Sequence, residues 1–329
     1  MSELFQSVPF AVVLLIIGFV FLVKGADIFV EGCCSIARRY KVPSLIIGMT
    51  IVAMGTSLPE TAVSVTAAIT GNNALAVSNA VGSNIFNLMV VVGACTLFTP
   101  VAVKISTLKV DFPISIACAV LLLGLGVAGM SLGHFDGIVF IVLFATFLFY
   151  MIRSAQISRK ENTDPGVEEE EYLVEAEETQ EMSIGKSVIY ILLGAVAIAV
   201  GSDWVVDGAC TVAAAIGISQ TLIGLTVVAF GTSLPELVTS IVAARKGEVD
   251  MALGNVIGSN IFNILMVLGI AAAVSPVTFL IENVIDIAVL IVFSVLGWLM
   301  AWTKRELDKK EGILMLVLYA AYVVYICMR

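Results

Sequence analysis

Residues 47–93 read IGMTIVAMGTSLPETAVSVTAAITGNNALAVSNAVGSNIFNLMVVVG, and residues 223–269 read IGLTVVAFGTSLPELVTSIVAARKGEVDMALGNVIGSNIFNILMVLG. At a constant offset of 176 and without a gap, 25 of these 47 positions are identical. Self-similarity of this kind makes the chain two copies of one unit. The register continues upstream, where Gly25, Asp27 and Gly32 fall opposite Gly201, Asp203 and Gly208. Each copy is a long apolar run broken by the same two polar words, GTSLPE and GSNIFN.

The apolar character extends over nearly the whole chain. Of 329 residues, 60% are hydrophobic and 13% charged, with mean hydropathy +1.06. An ordinary soluble domain is roughly a quarter charged, so the composition indicates an all-α integral membrane protein that has the lipid bilayer as its surroundings. A spanning helix takes about 20 mostly apolar residues. Ten such segments are expected, near 8–31, 43–69, 75–98, 110–130, 136–153, 186–208, 220–243, 250–274, 284–302 and 312–328. The N-terminus, MSELFQSVPF, has no basic leader region and no A-x-A cleavage signal, so it reads as a retained first span.

Lysine and arginine collect on the cytoplasmic side of membrane proteins. Fifteen of the 17 bases fall in alternate connections: Arg38, Arg39 and Lys41; Lys104 and Lys109; Arg153, Arg159, Lys160 and Lys186; Arg245 and Lys246; Lys304, Arg305, Lys309 and Lys310. Only Lys24 and Arg329 stand apart, and the connections near 71, 133, 218 and 280 carry none. This places the chain in a cell's inner (cytoplasmic) membrane as a multi-pass protein with both termini outside. Five spans per copy is an odd number, so the halves cross the membrane in opposite senses. The expected organisation is a first five-helix repeat (1–157), an acidic cytoplasmic linker (158–184) and a second, inverted five-helix repeat (185–329).

Net charge is −9, but residues 161–181 hold ten of the 26 acids and no base. The remainder is near neutral, so there is no basic footprint for nucleic acid. The run is poor in apolar residues and is expected to be a disordered spacer, with a regulatory segment as the other reading. The six cysteines lie mostly in apolar runs without CxxC spacing, and one histidine, His134, offers nothing toward zinc. No protein partner is inferable.

Glu60 and Glu236 sit mid-span, where an ionised carboxylate costs a few kcal/mol and demands a partner. With almost every base at an aqueous edge, that partner is a cation or a proton. Pro59 and Pro235 precede them, and proline frees carbonyls one turn back, at Gly55 and Thr56 or Gly231 and Thr232. Such oxygens are tolerated at membrane depth where they line a cavity. Thr56 and Ser57 stand four and three residues before Glu60, so carboxylate, hydroxyls and loosened carbonyls are expected to share one helix face. Ser83 and Asn87, like Ser259 and Asn263, are also four apart. Two carboxylates, amide oxygens, hydroxyls and carbonyls make an all-oxygen set, which suits hard cations such as Ca²⁺ and Na⁺ and not soft metals. Inverted repeats with interrupted helices are the architecture of secondary transporters, whose sites lie near the midplane.

GTSLPE followed by GSNIFN, twice in inverted halves, resembles the alpha-repeats of the cation/calcium exchanger superfamily, most closely its prokaryotic sodium/calcium exchanger branch. The resemblance implies a ten-helix antiporter that needs no cofactor and exchanges Ca²⁺ for Na⁺ by alternating access, with the first and sixth helices sliding. It implies that Ca²⁺ is bound by Glu60, Glu236 and the backbone oxygens of Thr56 and Thr232. Na⁺ would use the same glutamates with oxygens of Ala53, Ser57, Ser83, Ala229, Ser233 and Ser259, and Asn87 and Asn263 would stand at the centre. Many members carry Asp where this chain has Asn263, and potassium-coupled members use that Asp.

Other readings stay open. A desolvated glutamate readily takes a proton, which makes a proton-coupled calcium/cation exchanger the alternative. A channel lacks a subunit ring here, and an intramembrane hydrolase lacks a nucleophile triad or catalytic-zinc spacing. Ser64, Ser240 and Thr66 read as helix packing. Asp27, Glu31, Asp203 and Asp207 read as structural or cavity-mouth residues, with Lys24 neutralising Asp27. GLGVAG at 124–129 reads as packing and not as a dinucleotide loop.

Overall fold

The computed structural model describes residues 8–71, 73–161, 182–217 and 229–328. The acidic run 162–181 and the first half of the seventh expected span, 220–228, lie outside the described residues. The helices are α1 (Val8–Tyr40), α2 (Ser44–Thr56), α3 (Leu58–Ile69), α4 (Leu75–Phe98), α5 (Thr107–Gly129), α6 (His134–Glu161), α7 (Ile184–Ala215), α8 (Leu234–Arg245), α9 (Val249–Val274), α10 (Ile281–Lys304) and α11 (Lys309–Met328). Among the described residues eight are long and apolar enough to cross a membrane, and α2 with α3, bent by 50°, bring the number to nine if the pair is one span.

Two of the expected spans need correction. The first does not stop near 31 but runs to Tyr40, so Arg38 and Arg39 form its last turn. At 33 residues it is about 50 Å long, well beyond the roughly 30 Å hydrocarbon core. The second is not one helix. Ser57 takes φ −86°, ψ 14°, α3 restarts with Pro59 in its first turn, and the axis bends there.

An apolar core encloses a central group of polar side chains, and the outer surface is apolar as well. Glu60, Glu236, Asn87 and Asn263 are fully buried, while Ile16, Val20, Phe149, Leu192 and Val317 on α1, α6, α7 and α11 face outward. The central helices α4 and α9 are buried along most of their length. Small residues let backbones meet around them: a Cβ on Gly254 or Gly258 would stand 2.5 Å from the Leu45 carbonyl or the Met49 Cα, which seats α9 directly on α2.

α1 and α7 pack along each other through glycines at heptad spacing, Gly18, Gly25 and Gly32 on one and Gly194, Gly201 and Gly208 on the other. Each helix presents the same three positions, 176 residues apart. Two short ladders join the halves. β1 (Val101–Ala102) pairs antiparallel with β4 (Glu306–Leu307), and β2 (Ser131–Leu132) with β3 (Val277–Thr278). The first brings together the base-bearing connections after α4 and α10, and the second the two base-free ones. That sorting agrees with the sidedness expected from the lysines and arginines. Ion pairs Arg38–Glu248 at 3.4 Å and Lys104–Asp250 at 3.1 Å gather further connections on the base-bearing face.

Candidate functional site

Each half breaks a helix at the same word. Ser57 and Ser233 leave helical geometry, with ψ of 14° and 7°, and proline follows in the first turn of α3 and of α8. Proline is suited to that position because a first-turn N–H has no partner within the helix. The restart puts Glu60 and Glu236 in the first turns of α3 and α8. There the helix N-terminus favours an anion. A carboxylate is thus supported at membrane depth without a basic neighbour. Among the described residues, no lysine or arginine pairs with either glutamate, and the ion pairs Arg38–Glu248, Lys104–Asp250, Lys246–Asp27 and Lys304–Asp308 lie at exposed or half-buried positions.

The break also changes which residues meet. A continuous helix would put Ser57 beside Glu60. In the structure Ser57 donates to Glu236 Oε1 at 2.8 Å, and Ser233 donates to Glu60 Oε1 at 3.2 Å. Each carboxylate is held by the serine of the opposite half, which brings the two glutamates into one site. Ser83 adds a longer contact to Glu60 Oε1 at 3.5 Å. Glu60, Ser57, Ser233, Glu236, Ser259, Asn87, Asn263 and Ala53 are all fully buried, and Thr56 and Ser83 nearly so.

Several buried oxygens there have no hydrogen-bond partner: the Oε2 atoms of both glutamates, Oδ1 of Asn87 and of Asn263, and Oγ1 of Thr232. A buried polar atom left unpaired costs about 1–3 kcal/mol, and both halves contribute such oxygens. Asn87 and Asn263 each begin a π-helical turn, Asn87–Val91 and Asn263–Val267. Such a turn widens the helix locally and is frequent at functional sites. Among the described residues there is no cluster of three or more His, Cys, Asp or Glu side chains. Two carboxylates among neutral oxygens give a site of low charge.

Sequence reading passed over Asn79 and Asn255. Asn255 Nδ2 donates to Ser240 Oγ at 2.9 Å, while its Oδ1 accepts from Thr56 at 3.1 Å and from Ser259 at 3.4 Å. Asn79 does the matching work on Ser64 at 3.0 Å and also reaches the Glu60 carbonyl at 3.3 Å. Asn84 and Asn260, also passed over, join across the centre. Identity at the 176-residue offset was the signal available for all four. Ser64 and Ser240 take the packing role expected of them.

The halves are not equivalent. Thr56 is engaged by Asn255, whereas the hydroxyl of its counterpart Thr232 is unpartnered. Beside Thr232 lies a cavity of about 490 Å³, lined by Leu58, Pro59 and Val63 on one wall and by Asp203 and Asp207 of α7 on another. On the opposite side α1 packs along α8. There Asp27 pairs with Lys246 at 2.7 Å, and Lys246 also donates to the Asp27 carbonyl at 3.1 Å. The expected Lys24–Asp27 pair is therefore replaced by one between halves, because packing of α1 on α8 brings Lys246 to Asp27. The Ala53 carbonyl accepts from the Ser57 amide at 3.0 Å. Ala229 opens the short turn Ala229–Gly231 at the edge of the described residues.

Comparison with known proteins gives the family and the fold. The profile of the family described as Sodium/calcium exchanger protein matches residues 10–153 and 186–328. The chain is 35% identical over 293 residues to the inner membrane protein YrbG of Escherichia coli K12, covering 88% of this chain and 89% of YrbG. It is 32% identical over 345 residues to the sodium/calcium exchanger MaX1 of Methanosarcina acetivorans, covering 94% and 97%. The solved structure of the sodium-calcium exchanger NCX_Mj soaked with Na⁺ and Ca²⁺ superposes with a TM-score of 0.81 at 31% identity, covering 96% of this chain and 98% of that one.

Proposed function

The chain belongs to the sodium/calcium exchanger family, and on that premise we propose that it is a secondary antiporter exchanging Ca²⁺ for Na⁺ at one shared midplane site. The observation that carries this reading is the crossed pair of buried glutamates, each bonded to the other half's serine and each keeping one oxygen unpartnered. Two carboxylates neutralise one Ca²⁺, and because each Na⁺ carries half that charge, several Na⁺ can occupy the same oxygens in its place. Competition for one set of oxygens is what couples the two fluxes.

In this reading Glu60 and Glu236 bind Ca²⁺ together with the backbone oxygens of Thr56 and Thr232. Na⁺ draws on the same carboxylates and on oxygens of Ala53, Ser57, Ser83, Ala229, Ser233 and Ser259, with Asn87 and Asn263 central. The protein has ten transmembrane helices in two inverted five-helix repeats, 1–157 and 185–329, joined by the acidic linker 158–184. It sits in the cytoplasmic membrane with both termini outside. In this reading the cavity beside Thr232 serves as the open path and the Asp27–Lys246 contact closes the other side, which supports an outward-facing state. Transport requires the reverse arrangement as well, and the α1–α7 pair, packed glycine to glycine, moves as one body between them. Both cargoes are small inorganic cations, and no catalytic chemistry is needed.

A second reading, proton-coupled cation exchange, is favoured by the same unpartnered Oε2 atoms, since a proton also neutralises a buried carboxylate. Purified protein in sealed vesicles separates the two. Calcium uptake driven by an outward sodium gradient at constant pH is the expected result. Uptake driven only by a pH gradient would install the proton reading, and flux with neither would end both.

A further inference from the structure

Building on the exchange reading, we infer that Asn84 is a positioning residue that fixes which end of the Asn263 amide faces the cation. An asparagine amide has an oxygen end, which suits a cation, and an NH₂ end, which repels one. At a cation site the wrong end is worse than no ligand at all. A carboxylate has no wrong end, so the problem arises only where the position is occupied by Asn.

The direction is set by a chain of bonds that starts at a group with one possible role. The main-chain carbonyl of Asn260 can only accept, and Asn84 Nδ2 donates to it at 3.0 Å. That leaves Asn84 Oδ1 as the free end. Asn263 Nδ2 donates to this oxygen at 3.1 Å, and Asn263 Oδ1 remains buried and unpartnered. Reversing the Asn263 amide would set two oxygens against each other. Reversing Asn84 as well would set its oxygen against the Asn260 carbonyl. The arrangement therefore has one satisfactory direction, with the Asn263 oxygen offered to the site. Asn84, Asn260 and Asn263 are all nearly or fully buried, so water does not relax the constraint.

The other half shows what happens without the latch. Asn260 Nδ2 donates to the Asn84 carbonyl at 3.2 Å, so its Oδ1 is available to Asn87. The matching bond is not made, and Asn87 Nδ2, Asn87 Oδ1 and Asn260 Oδ1 are all unpartnered. Asn263 is held with its oxygen presented, and Asn87 is the amide left free to turn.

The test is a double-mutant cycle read by calcium titration calorimetry on the purified full chain in detergent. Asn84→Ala is expected to raise the Ca²⁺ dissociation constant tenfold or more in the natural sequence. In an Asn263→Asp background, where either oxygen serves, the same substitution is expected to cost less than threefold. If Asn84 only holds α4 against α9, the loss will be equal in both backgrounds, and that result overturns the inference. Asn84→Leu, which keeps the volume of the side chain but neither end of the amide, provides a second cycle if the alanine chain does not fold. It should weaken Ca²⁺ binding tenfold or more in the natural sequence and less than threefold in the Asn263→Asp background, and equal losses overturn the inference. A natural chain that binds neither Ca²⁺ nor Na⁺ would overturn the exchange reading, and the inference with it. A chain that binds but gives an additive cycle would overturn the inference alone.

Discussion

Asn84 and Asn260 exchange hydrogen bonds across the centre of the protein: the side chain of each donates to the main-chain carbonyl of the other, at 3.0 and 3.2 Å. They are the same residue of the two copies, so the seam between halves runs through them.

Glu60→Gln and Glu236→Gln should each abolish sodium-driven calcium flux, by about a hundredfold or more, while the protein still folds. Removing an uncompensated buried charge relieves an ion-free cost of several kcal/mol. The melting temperature without ions should therefore stay level or rise. A variant that transports at the natural rate would remove that glutamate from the site.

Calcium should stabilise the natural chain by mass action, about 2.7 kcal/mol at a hundred times its dissociation constant. Chelation should reverse the shift, and added Na⁺ should move the calcium midpoint to higher concentration. Thermal unfolding in detergent measures all three effects. The same series on Glu236→Gln should be flat.

Asn255→Ala takes a shared partner from the Thr56, Ser240 and Ser259 hydroxyls. Leaving buried polar groups unpaired costs about 1–3 kcal/mol each at most. The melting temperature should fall by several degrees, and further than in Asn79→Ala, whose position is only half buried. Equal losses would mean that Thr56 gains nothing from Asn255.

A Cβ on Gly201 would stand 2.6 Å from the Leu22 amide and 2.8 Å from the Gly18 carbonyl, so Gly201→Ala must push α7 off α1. Flux and thermal stability should both drop. The same change at Gly185, where nothing lies within 4 Å of a Cβ, should do neither.

Lys246→Ala removes the one ion pair that ties α1 to the end of α8 at Asp27. Exposed pairs contribute about 1 kcal/mol or less, yet a two-state balance responds to that much with a severalfold change in population. Cys34, buried on α1 near Glu248, should react faster with a maleimide added from the cytoplasmic side, in a chain whose other five cysteines are replaced. No change in rate would show that the pair does not hold that side shut.

Any pH dependence of flux between 5 and 8 should arise away from the start of α11. Asp308 caps that helix, accepting from the Lys310 and Glu311 amides, and it pairs with Lys304 at 2.7 Å. Those contacts lower its pKa to about 2, the hydrogen bond from Lys304 being the largest cause. A depressed carboxylate pKa stabilises the folded chain above the unfolded value near 4, and the benefit is lost only as pH falls toward about 2. Asp308→Asn should leave the profile between pH 5 and 8 unchanged.

The duplication, the buried glutamates and the sorting of bases to one face were all legible in the sequence, because each is a matter of residue type and spacing. The crossed serines were not. Helical spacing assigns Ser57 to Glu60, and only the 50° bend at the Pro59 word turns it toward Glu236. Asp27 was matched with Lys24 by the same local arithmetic, whereas tertiary packing gave it Lys246. Asn84 and Asn260 looked like one more polar pair in GSNIFN. Their work depends on which amide end meets which carbonyl, and a one-letter code carries no such direction.

Because each carboxylate relies on a hydroxyl from the opposite copy, neither copy alone contains a finished binding seat. If the halves are inverted as proposed, an ancestor half this long would have had to assemble as two molecules inserted in opposing orientations. Fusion then freed the copies to diverge, and the contrast between Thr232 and Thr56, or Lys246 and Thr70, records a division of labour that identical subunits could never have adopted.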